Sequence, residues 1–184
     1  RRRLIRLHPM VVFGAVVGLL CFLLQGCAHW DGNRVSVSMA MLALLAAMFM
    51  IPAWPGCPYE VRGNGEMFPL NGPAWSLFFE YIGNILYGLL VHRLSTRMLT
   101  AVTALLGVAL VWMTVGDFVG SGMFGVGWTL DGVNFWGGLA RMLFPYSLGM
   151  LLSRRFRAVR VRGAFWLATV VMAALFMVPY IPGK

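Results

Sequence analysis

Residues 70–88 read LNGPAWSLFFEYIGNILYG. Most of this stretch is apolar enough to sit in a bilayer, yet Glu80 lies well inside it. On a helix, positions 76, 80, 83, 84 and 87 share one face. That face carries Ser76, Glu80, Gly83, Asn84 and Tyr87, while Leu77, Phe78, Ile82, Ile85 and Leu89 take the opposite side. The spacing predicts a membrane helix with a polar stripe. A carboxylate in hydrocarbon is costly unless it is paired or faces water. Two roles for Glu80 follow. It locks helices together through a neighbouring Arg or Trp, or its stripe walls a cavity that holds substrate. One residue can do both.

Composition sets the class. The chain has 184 residues, of which 60% are hydrophobic and 11% charged. A soluble domain carries about 25% charged residues, so these values argue for an integral membrane protein. The net charge is +9, and arginine supplies every basic residue except Lys184. The arginines cluster as Arg1, Arg2, Arg3 and Arg6, then Arg154, Arg155, Arg157, Arg160 and Arg162. Clusters that abut apolar runs follow the positive-inside rule, and a nucleic-acid partner is not expected. Cys21, Cys27 and Cys57 show no metal-ligand spacing. Cys21 reads as a small buried hydrophobe. A Cys27–Cys57 disulfide is allowed in an oxidising compartment but not required.

Six runs approach the roughly 20 apolar residues that span a bilayer: Met10–Ala28, Val37–Ala53, Pro73–Val91, Met98–Gly116, Asn134–Leu152 and Ala164–Ile181. Helices are the default there, because open backbone is not satisfied in lipid. The expected fold is therefore all-α, a polytopic membrane helix bundle of five to six apolar segments, one of them re-entrant. No internal repeat is visible. The connectors HRLSTR (92–97) and SRRFRAVRVRG (153–163), with the opening RRRLIR, are basic and belong on the cytoplasmic side. The connectors 55–72 and 117–132 are richer in acid, Gly and Pro and belong on the far side. Three full crossings between Arg6 and His92 would put those two on opposite sides. One run must fail to cross, and Val37–Ala53, short and followed by Pro52, Pro55 and Pro58, is expected to be the re-entrant or interfacial one.

The fifth run, FWGGLARMLFPYSLGMLL, places Arg141 between Gly137–Gly138 and Pro145. The glycines allow close approach, Pro145 should kink the helix, and Arg141 is the natural partner for Glu80. At the other end of the chain, Arg3 and Arg6 lie one turn apart before an apolar helix. They serve as a topology anchor, or as forks for phosphate oxygens at the cytoplasmic face. His8 reads as interfacial, and His29 and His92 as solvated. Ser76 has no His–acid partner nearby and is not a candidate nucleophile. Trp75, Trp112 and Trp128 read as interfacial or packing aromatics.

Taken together, RRRLIRLHP, WSLFFEYIGNILYG and ARMLFPYSLGMLLSRR resemble three elements of the acyltransferase 3 family of integral membrane O-acyltransferases. The first resembles that family's R-x-x-R element with a following Pro, here Arg3, Arg6, Leu7, His8 and Pro9. The second resembles its W-S-L-x-x-E element. The third resembles its later helix with Arg141, Phe144 and Gly149. They occur in family order and span Arg3 to Arg155.

The resemblance implies transfer of an acyl group, acetyl by expectation, from cytoplasmic acyl-CoA to a hydroxyl of a cell-surface or exported carbohydrate. Acyl-CoA (acetyl-CoA) is then the donor substrate, with no bound cofactor and no metal. Arg3 and Arg6 would contact the donor's phosphates. Trp75, Ser76, Glu80 and Arg141 would line or buttress the acceptor cavity. The expected location is the bacterial inner (plasma) membrane, multi-pass, with the bilayer, acyl-CoA and the carbohydrate acceptor as partners. The family's proposed catalytic histidine lies upstream of the R-x-x-R element. The chain is accordingly expected to be a partial acyltransferase domain over 1–184, with helices missing before and after it, inactive alone. The competing class is non-enzymatic, a membrane transporter or scaffold, or an inactive acyltransferase remnant.

Overall fold

The computed structural model describes residues 2–118, 125–157 and 162–177, with side chains from Ile5 onward. Each of the six apolar runs forms a helix: α1 (Arg2–Leu24), α2 (Val37–Met48), α3 (Ala74–Leu89), α4 (Thr96–Val115), α5 (Gly132–Arg155) and α6 (Ala164–Phe176). A 3₁₀ turn, Val91–Arg93, follows α3. Among the described residues the fold is all-helical, with no strand beyond the isolated bridges Ala28–Arg34 and Glu66–Thr129. The chain divides into two units, residues 1–154 and 155–184. The second contains α6, an apolar helix entered through Gly163 in the left-handed region (φ 74°).

Helix starts follow their capping side chains. Ser36 Oγ accepts from Met39 N at 3.3 Å and opens α2, and Ser95 Oγ accepts from Met98 N at 3.2 Å and opens α4. Asp131 Oδ1 accepts from Asn134 N at 2.9 Å and opens α5.

Among the described residues, two helical segments are long and apolar enough to cross a membrane, Ile5–Leu24 and Thr96–Val115, against the five to six expected. The reasons are local. α2 has 12 residues and α6 has 13, a rise of about 18–20 Å against a hydrocarbon core of about 30 Å. α2 stops where Met50 enters the left-handed region (φ 55°) just ahead of Pro52. α3 has 16 residues, and α5, though 24 long, carries Arg141 and two terminal arginines.

The core of the first unit is built on α1. Val11, Ala15, Leu19 and Phe22 fall on one face and meet Ala40, Ala43, Leu44 and Ala47 of α2. The small side chains of α2 let the two helices approach closely. The remainder of that core comes from the non-helical connector after α2: Val61, Met67, Phe68 and Leu70 are buried in it.

The path of this connector decides the topology. Ala53 N donates to the Met67 carbonyl (2.7 Å), and Met67 N donates to the Trp128 carbonyl (2.8 Å). Between those points the chain returns to the C-terminal end of α1. There Trp30 N donates to the Arg62 carbonyl (3.0 Å). The Arg62 guanidinium donates to Gln25 Oε1 (3.0 Å) and to the Pro69 carbonyl (3.1 Å), and lies 5.0 Å and 5.5 Å from the ring centroids of Phe22 and Trp30. The segment that leaves through α2 is therefore back at its starting end by Arg62. Buried Glu60 closes the turn by accepting from the amides of Arg62 (3.3 Å) and Gly63 (3.0 Å).

The connector then descends along α1. A Cβ at Gly18 would overlap the Leu70 carbonyl oxygen, and one at Gly14 would lie 2.5 Å from Asn71 Nδ2. The two glycines form a notch that takes backbone, so α3 begins beside the middle of α1. Helix α5 runs in the same direction as α3, with Phe79 against Gly138 and Asn84 against Tyr146. Helix α4 runs back between these ends, with Gly107 against Phe144.

Charge is sorted along this unit. Of the six acidic residues, Asp31, Glu60, Glu66, Asp117 and Asp131 lie in the connectors at the C-terminal end of α1 or the C-terminal end of α4, leaving Glu80 alone between. Arg93, Arg97 and Arg154 gather at the opposite end, where Arg154 donates to the carbonyls of Leu94 (2.8 Å) and Val91 (3.4 Å).

Candidate functional site

The candidate site is centred on α3. At its start, Asn71, Gly72 and Pro73 make the turn, and Ser76 Oγ donates to the Pro73 carbonyl at 2.9 Å. Ser76 is exposed and serves this first turn. Trp75, half-buried, packs edge-on to Phe79 (centroids 6.2 Å) and against Trp128 (5.9 Å). Phe79 is fully buried and fits against Gly138, where a Cβ would lie 2.6 Å from its ring. Gly138 also receives the backbone of Gly127, so the glycine pair admits a loop as well as a helix.

Arg141 does not meet Glu80. Its guanidinium carbon lies 5.2 Å from the Trp75 ring centroid, and Nη1 reaches the Val126 carbonyl at a long 3.5 Å. Among the described residues no ion pair joins the two. Arg141 is instead taken up by the Trp75 ring face of α3 and by the Val126 carbonyl of the loop 125–131, which packs between Trp75 and Gly138. Asn134 holds that loop: its Oδ1 accepts from Gly127 N (3.1 Å) while its Nδ2 donates to Asp131 Oδ2 (2.6 Å). The Asp131 carboxyl is held below its ordinary value of 3.8: burial pushes it up, but the Asn134 amide and the Thr129 hydroxyl, with the Asn134 side chain, outweigh that push.

Glu80 is half-buried. Its carbonyl accepts from Asn84 Nδ2 at 2.9 Å, and Asn84 Oδ1 in turn accepts from Tyr146 Oη at 3.0 Å. The polar stripe is thus partly consumed in joining α3 to α5. Gly83, on the same stripe, is buried under Met142. A cavity does adjoin α3, but Gly83, Leu86 and Leu90 present it, and Glu80 is not among its lining.

The N-terminal element reaches the same helix. Arg6 is exposed, and the Arg3 side chain lies outside the described residues. His8 Nδ1 lies 3.1 Å from Tyr81 Oη, next to Glu80. Cys27 and Cys57 are not bonded to each other, and no group of His, Cys, Asp and Glu among the described residues is arranged to hold a metal ion.

Several of these features were not foreseen from sequence. The Gly14–Gly18 notch had a signal in its small-x-x-x-small spacing. The Asp131–Asn134 pair had one in the capping pattern. The His8–Tyr81 and Asn84–Tyr146 contacts span 73 and 62 residues and had none. Compared with known proteins, the chain matches no family model, no curated protein and no solved structure.

Proposed function

We propose that this chain serves a multi-pass membrane O-acyltransferase of the acyltransferase 3 type. It transfers an acyl group, acetyl in the simplest case, from cytoplasmic acyl-CoA to a hydroxyl of a cell-surface or exported carbohydrate. One observation carries the proposal: the three sequence elements behind the resemblance, far apart in the chain, meet on α3. His8 of the first touches Tyr81 of the second, and Arg141 of the third lies over Trp75 of the second.

The proposal gives each part a task. Arg3 and Arg6 bind donor phosphates at the arginine-rich end. Trp75, Ser76, Glu80 and Arg141 border the acceptor, with an exposed aromatic, Trp128, beside them. Aromatic faces and carboxylates are suited to sugar rings and hydroxyls. None of the described side chains is assigned as general base. In this reading α2 and the connector form a re-entrant element, consistent with the Trp30–Arg62 closure at one end. The test is binding of radiolabelled acetyl-CoA to inside-out vesicles carrying the chain. The Arg3→Ala, Arg6→Ala double variant is expected to lose at least about tenfold in affinity, as two charge-assisted contacts imply. Undiminished binding by that variant would refute the phosphate role.

A further inference from the structure

The first unit holds a cavity of about 290 Å³ between α3, α4 and α5. Leu86 of α3, Leu90 just after it, Leu99, Val102 and Leu106 of α4, and Met150 of α5 form most of its wall. Two hydroxyls adjoin it, and each already has a partner: Tyr146 Oη donates to Asn84 Oδ1 and Ser147 Oγ to the Phe144 carbonyl, both at 3.0 Å. The wall therefore presents hydrocarbon, and a polar group placed inside would lose its hydrogen bonds without replacement. Its volume is near the lower end of small-ligand pockets, about 300 Å³.

One end of this wall is cationic. Val91 and Leu94 line the cavity, and both carbonyls accept from the Arg154 guanidinium. A guanidinium has five N–H donors, so donors remain for an anion. Arg93 in the same connector and Arg97 in the first turn of α4 are exposed. An apolar slot with cations at its mouth matches one chemistry: a hydrocarbon chain joined to an anionic head.

We infer that this cavity takes one acyl chain of an anionic membrane phospholipid, with its headgroup phosphate at Arg154. It is separate from the donor contacts proposed above. Those lie on α1, which meets α3 through His8 and Tyr81, whereas Gly83, Leu86 and Leu90 face the cavity. A helix from a second copy is a poorer occupant, because α1, α4 and α6 carry no acid to meet the arginines. The inference rests on the membrane reading of the chain.

The experiment is native mass spectrometry of the full chain, purified in mild detergent and exposed to equimolar phosphatidylglycerol and phosphatidylcholine with identical acyl chains. One retained lipid per chain is expected, with phosphatidylglycerol favoured about fivefold for each cation at the headgroup. Arg154→Gln should lower that preference about fivefold and leave occupancy intact. Val102→Phe fills the slot from a partly exposed position, and should abolish retention while the far-ultraviolet spectrum is unchanged. Equal retention of both lipids by the unaltered chain, full retention by Val102→Phe, or two chains per particle with no lipid would each overturn the inference. Alkaline washing of the source membranes separates the two levels. A chain released by the wash refutes the membrane reading, and a chain that pellets yet holds no lipid refutes the lipid site alone.

Discussion

Arg141 offers a sharp test, because two arrangements predict different energies for it. If it formed a buried ion pair with Glu80, removing either partner would cost about 3–5 kcal/mol, since the other charge would be stranded. The structure instead puts its guanidinium 5.2 Å from the Trp75 centroid, with one long hydrogen bond to the Val126 carbonyl, on an exposed side chain. A cation–π contact at an exposed site is worth about 0.5–1 kcal/mol, and a 3.5 Å hydrogen bond adds little. Arg141→Gln should therefore cost about 0.5–1 kcal/mol. The pairings separate in double-mutant cycles. Arg141→Gln with Trp75→Leu should show a coupling of about 0.5–1 kcal/mol. Arg141→Gln with Glu80→Gln should be additive to within about 0.5 kcal/mol. Each variant would be unfolded by sodium dodecyl sulfate in mixed micelles and followed by far-ultraviolet circular dichroism. A Glu80 coupling above about 1.5 kcal/mol, beside a vanishing Trp75 coupling, would refute the assignment of Arg141 to the ring.

Gly18→Ala should destabilise the chain by about 1–3 kcal/mol, because its Cβ meets backbone at Leu70. Gly88→Ala, with nothing within 4 Å, should be neutral or stabilising by up to about 1 kcal/mol in the same unfolding assay. Asp131 has a folded-state pKa held below 3.8. Its contribution is thus complete above that value and fades as pH falls from 3.8 through the folded value. Asp131→Asn should flatten that part of the acid stability profile, and an unchanged profile would count against the cap. With the native cysteines replaced, Arg34→Cys and Pro58→Cys should react with an impermeant maleimide from one side of the membrane and His92→Cys from the other. Labelling of positions 34 and 58 from opposite sides would contradict the return at Arg62.

The helices are legible in the sequence, since six apolar runs correspond to six helices. Apolar length is local information and survives folding. Crossing capacity was less legible, because α2 and α5 are limited by a left-handed turn and by interior charge. Partners were the least legible. Glu80 and Arg141 look complementary in isolation, but Arg141 faces Trp75 and the Val126 carbonyl of the loop 125–131, and no periodicity announces where a loop will pass. The role of Arg62 is illegible for a similar reason. Its neighbours Phe22, Gln25, Trp30 and Pro69 are scattered over three segments that only the fold gathers.

The glycine notch on α1 has a consequence for the order of assembly. Helices α1 and α4 satisfy their own backbones and can enter a bilayer one at a time. The connector after α2 does not: its backbone is paired across the fold, at Trp30 and Trp128, and its end at Leu70 and Asn71 rests against Gly18 and Gly14. Helix α1 is thus a template that must be in place before the connector can settle. The start of α3, with Trp75 and everything that touches it, then ripens late. Substitutions in the notch should show themselves in newly made chains first, as slow maturation and early degradation, before any defect appears in molecules that have already closed.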